Sequence, residues 1–142
     1  MSFDLALIEN DLKLLPNGDI KTVSDTTKLR QDILKIILTS LGSNRFHPWY
    51  GCSVGDDIIG KNLPQNLLDL GIQTSVSQSL ERLKKLQLQQ QTNQHVTLAE
   101  LINTIGPIFS YRAPEDPRQI KIDVTVFTRR LTEIRELFTL EA

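Results

Sequence analysis

Hydrophobic and polar side chains alternate near the end of the chain. Between Gln119 and Phe127, every second residue is a β-branched apolar residue, and the residues between them are mostly polar. This period of two predicts a strand with one buried face. A second strand is predicted at about Leu131–Leu140, after a loose turn at Arg129-Arg130. No helix follows within the sequence, so we expect an open sheet edge. The buried positions of the first strand are Ile120, Ile122, Val124 and Val126.

Two earlier segments carry a helical period. The first predicted helix spans about Thr26–Leu41, with Ser24 or Asp25 as its N-cap and Gly42 as its stop. Apolar residues recur along it at spacings of three and four, which predicts one stripe facing the core. That stripe consists of Leu29, Ile33, Ile36, Ile37 and Leu41.

The second predicted helix is longer, beginning near Asn62-Leu63-Pro64 and ending at about Gln91. Gly71 is its one weak point, and its polar last residues, 87–91, are expected to project into solvent. Its stripe consists of Leu68, Ile72, Val76, Leu80, Leu83 and Leu86. The residues between the two helices, Ser43–Lys61, form the longest predicted loop.

The remaining segments complete an α+β pattern. A hairpin is predicted over Leu12–Val23, where Pro-Asn-Gly supplies the turn. Thr97–Glu100 has the form of a capping box, and Ile105–Tyr111, which contains Pro107, predicts an edge strand. We therefore predict a single domain over residues 1–142, in which a small, mostly antiparallel sheet packs against two main helices.

Composition excludes several classes of partner. A mass of 16.1 kDa and 39% apolar residues are ordinary for one globular domain. The net charge of −1 gives no electrostatic reason to expect nucleic acid or an anionic membrane. No apolar run approaches the roughly 18 residues of a membrane span. Cys52 is the only cysteine, so no internal disulfide is expected, and synthesis in a reducing cytoplasm fits.

No motif predicts a cofactor or a metal. The segment Gly55–Asn62 nearly matches a phosphate-binding loop, but Asn62 lacks the hydroxyl that magnesium needs, and two aspartates would repel phosphate. The simpler interpretation is a glycine-punctuated loop with an Ile pair entering the core. His47 and His95 have no zinc-ligand spacing.

Catalysis by paired carboxylates is a weaker alternative. Glu9, Glu100 and Glu115 are each a conceivable acid for a glycosidase, which needs two carboxyl groups roughly 5–9 Å apart. Nothing in the sequence selects one pair. We expect most of these side chains to be solvated, and we predict no catalytic residue.

The aromatic segment His47–Gly51 has two interpretations. It is either a structural turn that covers the end of the first helix or a contact surface formed by Trp49, Tyr50 and nearby Arg45. Tryptophan, tyrosine and arginine are the residues that most often anchor protein interfaces.

The segment Glu115-Asp116-Pro117-Arg118 leads directly into the alternating strand. Pro117 restricts the backbone before it, so we expect an ordered, extended entry to that strand. Arg118 then lies outside the sheet, where its planar fork can bind a carboxylate or a row of carbonyls. An arginine held beside an open sheet edge predicts a docking site for another protein. The alternative is that Arg118 forms an internal salt bridge with Glu115 or Asp116.

In their order, these segments resemble the sheath-initiator, or baseplate-wedge, family of contractile phage tails, which is also seen in type VI secretion baseplates. The resemblance covers about Asp4 to Leu140. Within the family's Glu-Pro-Arg tripeptide, Asp116 stands in place of the glutamate, with Glu115 beside it. It is carried by Lys28–Leu34, Gly42, Pro48–Gly51, the run from Gly55 to Gly60-Lys61, and Pro117-Arg118.

The resemblance implies a structural protein of the virion, located in the tail baseplate. Glu115, Asp116, Pro117 and Arg118 would dock on the wedge proteins, and six copies per particle are expected. A sheet edge would then receive strands from the tail sheath protein by β-augmentation, and the tail tube is a further candidate neighbour. Some members of the family are labelled lysozyme-like, which keeps a tail-associated peptidoglycan glycosidase as the alternative.

Overall fold

The computed structural model describes residues 3–8, 11–55, 64–116 and 118–141. Four short strands come first: β1 (Asp4–Leu5), β2 (Leu7–Ile8), β3 (Asp11–Leu12) and β4 (Thr22–Val23). Helix α1 (Asp25–Leu38) and helix α2 (Gln65–Asn93) follow. A 3₁₀ turn at Leu98–Glu100 leads to the strands β5 (Ile102–Arg112), β6 (Gln119–Thr128) and β7 (Glu133–Glu141). The predicted α+β class is confirmed, and so are the two main helices followed by three strands. The start of the chain differs, because it has four short strands in two pairs where one two-stranded hairpin was predicted.

The main sheet is antiparallel, with β6 between β5 and β7. The alternation predicted for β6 is confirmed, because Ile120, Ile122, Val124 and Val126 all lie in the core. The stripes of α1 and α2 cover this face of the sheet. The core therefore forms between two helices and one sheet face, and its largest fully buried members are Leu29, Ile33, Ile36, Leu68, Ile72, Leu80, Ile102, Ile120, Ile122 and Ile134.

Helix α1 ends three residues earlier than predicted, at Leu38. The next residue, Thr39, is extended, and its carbonyl accepts a hydrogen bond from the N–H of Cys52 at 2.8 Å. This contact requires Gly51, whose φ is +120° and where a Cβ atom would lie 2.6 Å from the Thr39 carbonyl oxygen. The chain leaves the helix to pair with the following loop. Gly42, also at positive φ, belongs to a later turn.

The polar end of α2 also differs from the prediction. Gln87 was expected in solvent but is only 4% exposed. Its amide Nε2 donates to the carbonyl of Glu100 at 2.9 Å, and its Oε1 accepts from the N–H of Ile102 at 2.8 Å. A buried polar side chain needs such partners, and Gln87 finds them at the start of β5. The predicted capping box at Thr97 and Glu100 is confirmed.

The N-terminal strands form a small meander, in which β1 pairs with β4 and β2 with β3. The predicted turn is present, with an antiparallel bridge between Leu14 and Ile20. Gln31 of α1 fixes the meander, because it donates to the Leu5 carbonyl at 2.7 Å and accepts from the Leu7 N–H at 2.9 Å. Many apolar side chains of the meander remain exposed: Phe3, Leu5, Leu7, Ile8, Leu12, Leu14, Leu15 and Ile20.

Candidate functional site

The two outer strands of the main sheet present very different edges. On β5, Gly106 and Pro107 interrupt the register with β6 between Ile105 and Ile108. The outer side of β5 also has polar partners from α2, because Gln73 donates to the Ile108 carbonyl at 3.2 Å and Gln87 binds at the strand's start. A bulge, a proline and a covering helix are the usual means of blocking an edge strand.

Strand β7 presents the opposite case. Its nine residues pair with β6 in one unbroken register, from Glu133 opposite Phe127 to Glu141 opposite Gln119. Within the described ranges, no other strand pairs with its outer side. The open edge predicted from the sequence is confirmed, and the structure assigns it to β7.

The ladder also indicates which backbone groups of β7 face outward. The N–H of Thr128 donates to Thr132, toward β7, and the carbonyl of Gln119 accepts from Ala113, toward β5. Because bonding direction alternates along an antiparallel strand, even-numbered residues of β6 bond toward β7. With the observed register, Ile134, Glu136, Phe138 and Leu140 then bond inward. The N–H and C=O groups of Glu133, Arg135, Leu137 and Thr139 point away from the sheet.

Ion pairs beside this edge hold β7 in place. Arg135 donates hydrogen bonds to the carboxylate of Asp123 on β6. Its Nε lies 3.0 Å from both carboxylate oxygens, and its Nη2 also donates to one of them. The hydrogen bond from Arg135 lowers the pKa of Asp123. Arg30 of α1 lies 3.2 Å from Glu136. From the sequence alone, Asp123, Arg135 and Glu136 are polar positions in alternating strands. Which of these charges pair depends on the strand register and on how α1 packs against the sheet.

The segment predicted to dock on a wedge protein forms the loop between β5 and β6, residues 113–118. The extended conformation expected for it is wrong. The N–H of Gln119 donates to the Asp116 carbonyl at 3.0 Å, and the Asp116 carboxylate accepts from the Arg118 N–H at 3.0 Å, so Arg118 lies in a turn rather than an extended segment. Pro117 lies outside the described residues. The difference arises because β5 extends to Arg112 and pairs antiparallel with β6. The segment must therefore reverse the chain between two paired strands.

This turn leaves the side chains of Glu115 and Arg118 exposed, whereas Asp116 is half-buried. Among the described residues, no carboxylate forms an ion pair with Arg118. The Asp116 side chain supports its own turn. The side chain of Arg118 is therefore exposed on a loop that is hydrogen-bonded at both ends.

The loop and the open edge meet at the same end of the sheet. Gln119, which follows the loop, pairs with Glu141 at the end of β7. The turn at Arg129 and Arg130 lies at the other end, roughly 30 Å away along β6 at about 3.3 Å per residue. The exposed Arg118 thus lies at the same end of the sheet as the last residues of β7.

The aromatic segment lies elsewhere, between the end of α1 and the middle of α2. Tyr50 is half-buried and packs against the core, where burial raises the pKa of its phenol, although nearby Lys35 opposes this shift. Trp49 is 44% exposed, and Arg45 is exposed. The structure therefore gives the two aromatic residues different environments, a half-buried Tyr50 and an exposed Trp49.

Two of the three carboxylates considered for a glycosidase, Glu100 and Glu115, lie far apart. Glu100 is buried and accepts from the Thr97 N–H at 3.0 Å, so it caps the 3₁₀ turn. Glu115 lies beyond the far end of β5, roughly 30 Å away at about 3.3 Å per residue. This separation exceeds the roughly 5–9.5 Å that the reaction needs. Glu9 lies outside the described residues.

The other sequence candidates add no chemical site. Most of the near-match to a phosphate-binding loop, Asp56–Asn62, lies outside the described residues. The Ile pair that was predicted to enter the core belongs to this part of the chain. Cys52 is buried. Over the described ranges, no group of three or more metal-ligating side chains comes together. None of the described helices combines the length and apolar character needed to cross a bilayer.

Comparison with known proteins supports the architecture. No family model matches the chain, and no curated protein matches it. A crystal structure described as a "putative tail lysozyme" from Geobacter sulfurreducens superposes with a TM-score of 0.60 at 15% sequence identity. The match covers 81% of this chain and 88% of the Geobacter chain. The two chains share a fold.

Proposed function

We propose that this protein is a structural component of a contractile phage-tail baseplate, where it starts assembly of the tail sheath. In this role the loop at residues 113–118 docks on a wedge protein, and β7 receives a strand from the first sheath subunits. Six copies per baseplate follow from the resemblance. The protein acts without catalysis, metal or cofactor.

The observation that carries the proposal is the contrast between the two sheet edges. An unoccupied edge is an aggregation hazard that proteins normally block. Within the described residues, α2 bonds to the outer side of β5, whereas no strand pairs with the outer side of β7. A free edge adds a partner strand through backbone hydrogen bonds, without requiring a special side-chain surface. The fold shared with a protein described as a tail component supports a role in the tail.

The open edge can be tested by removing one outward N–H. Leu137 is 55% exposed, and its N–H faces away from β6, so Leu137→Pro removes a donor for an incoming strand without removing a bond to β6. We expect virions with this variant to carry baseplates and tubes but no sheath in electron micrographs. Leu137→Ala is the matched control, because it removes the side chain and keeps the N–H.

Sheathed tails with Leu137→Pro would contradict this use of β7. A sheath defect in both variants would assign the effect to the side chain rather than the backbone. Thermal unfolding of each purified variant shows whether β7 remains folded.

Docking through Arg118 requires a second experiment. An arginine fork makes two parallel charge-assisted hydrogen bonds that lysine cannot reproduce. We expect Arg118→Lys and Arg118→Ala to weaken binding to purified wedge complex about 30- to 1000-fold, which is typical of truncating an interface arginine. Arg130→Ala is the control, since Arg130 is also exposed but lies at the opposite end of the sheet. Unchanged binding combined with a lowered melting temperature would make Arg118 a structural residue.

The alternative is a tail-associated peptidoglycan glycosidase, and the description of the Geobacter protein favours it. The separation of Glu100 and Glu115 argues against these two residues as its catalytic pair. A zymogram on peptidoglycan distinguishes the functions. Lysis by the purified protein that disappears when a carboxylate is replaced would overturn the structural proposal.

A further inference from the structure

A small pocket lies on the flank of α2 that faces away from β5. Trp49 contributes one wall, and α2 contributes Arg82, Lys85, Leu86 and Gln89. Its volume is about 260 Å³. This is below the roughly 300–1,000 Å³ typical of small-molecule sites, so the pocket suits one large side chain better than a cofactor.

The loop that carries Trp49 is held on both sides. The carbonyl of Gly51 accepts hydrogen bonds from Ser79 Oγ at 2.9 Å and Arg82 Nη1 at 3.2 Å. The N–H of Cys52 bonds to Thr39 at the end of α1. An exposed tryptophan on a fixed backbone loses little conformational entropy when it is buried by a partner, which is the usual character of an interface anchor.

Neighbouring aromatic rings further restrict Trp49. The imidazole of His47 lies 5.3 Å from the indole in an edge-to-face arrangement, and the Tyr50 ring lies at 6.4 Å. Because Tyr50 packs on the core, the indole has a supported orientation toward α2. The pocket is therefore formed before any partner arrives.

The charges of the pocket indicate what it accepts. Arg82 and Lys85 are both cationic, and no described lining residue is a carboxylate, although the whole chain has a net charge of −1. Trp49 and Leu86 supply the apolar surface. Two cations do not form the extended basic surface that a phosphate backbone requires, so a protein segment is the better fit.

We propose that the Trp49 pocket binds an acidic segment of a second protein, with one apolar side chain between Trp49 and Leu86 and flanking carboxylates on Arg82 and Lys85. This site is separate from β7 and from the loop at residues 113–118. It would give the protein a third contact, independent of both partners in the proposed function.

The pocket contains its own probe, because Trp49 is the only tryptophan in the chain. The full-length protein is titrated with an acetylated, amidated Glu-Leu-Glu-Leu-Glu peptide while the indole emission is recorded. We expect a saturable change in emission and no response to the corresponding Lys-Leu-Lys-Leu-Lys peptide. Lys85→Glu should weaken the acidic peptide about tenfold or more, because it reverses a charge that contacts the ligand.

Lys84→Glu is the matched control, since it makes the same change at the adjacent position, which lines the opposite flank of α2. It should alter the affinity less than about twofold. An equal loss in both variants would reduce the effect to bulk charge and overturn the proposal. So would the absence of a saturable response, or tighter binding of a ten-residue thymidine oligonucleotide with the same dependence on Lys85. Lys85 is exposed, and a circular dichroism spectrum verifies that each variant is folded.

Discussion

Gln87 provides the sharpest test of how the β5 edge is held. Its side chain is buried and bonded to two backbone groups, the Glu100 carbonyl and the Ile102 N–H. In Gln87→Leu the shape is nearly conserved, but both backbone groups lose their partner. A buried backbone group without a hydrogen bond costs about 1–3 kcal/mol, and the added apolar surface of leucine returns part of this. We expect the free energy of unfolding to fall by about 2–4 kcal/mol.

Urea denaturation followed by circular dichroism measures this change, and the midpoint should fall with an unchanged slope. Hydrogen exchange at the Ile102 amide should accelerate in the same variant. Gln91→Leu is the control, because it makes the same substitution on an exposed position one turn later, and it should stay within about 0.5 kcal/mol of wild type. Equal stabilities for the two variants would show that the edge of β5 does not depend on Gln87.

Three other predictions concern single positions. Gly51→Ala should destabilise the protein by about 1–3 kcal/mol in urea unfolding, because a Cβ atom would collide with Thr39; wild-type stability would contradict this. Leu131→Gly should raise the melting temperature, since leucine at φ +63° is strained by about 1–2 kcal/mol, which exceeds the entropy cost of glycine; a lower value would refute it. Burial is the largest single influence on both pKa values in the Asp4–Lys35 pair and opposes both shifts, but the hydrogen bonds and the charge attraction together outweigh it, lowering the pKa of Asp4 below 3.8 and raising that of Lys35 above 10.5. The pair's stabilisation should therefore be lost as pH falls through the folded pKa of Asp4 or rises through that of Lys35. In urea unfolding, Asp4→Asn should remove the acid dependence and weaken the alkaline one, since Asp32 also raises the pKa of Lys35.

The main sheet could be predicted because burial imposes its period directly on the sequence. In β6, one face contacts α1 and α2, so every second residue must be apolar, and this pattern needs no knowledge of the partners. The stripes of the two helices follow from the same rule with a different period.

The failures involve contacts between distant residues. Gln87 stands in a polar run, which predicts exposure to solvent. Its partners are backbone groups at positions 100 and 102, and because every residue type has such groups, the sequence does not reveal them. The early end of α1 depends on a glycine twelve residues downstream of Thr39. The turn at Asp116 depends on where β5 ends. In the candidate site, Arg118 was selected from the sequence, whereas its position beside the end of β7 requires the strand register.

The unequal edges of the sheet also limit how copies of this protein can associate with one another. A sheet with two free edges can extend without end, since each added copy exposes a new edge. Here glutamines of α2 bond to two backbone groups on the outer side of β5, the Ile108 carbonyl and the Ile102 N–H. Among the described strands of the main sheet, β7 therefore offers the more continuous edge, and two molecules that pair through β7 would occupy that edge in both copies. Further growth of this sheet would have to use the outer side of β5, so the asymmetry favours a closed pair over open-ended extension.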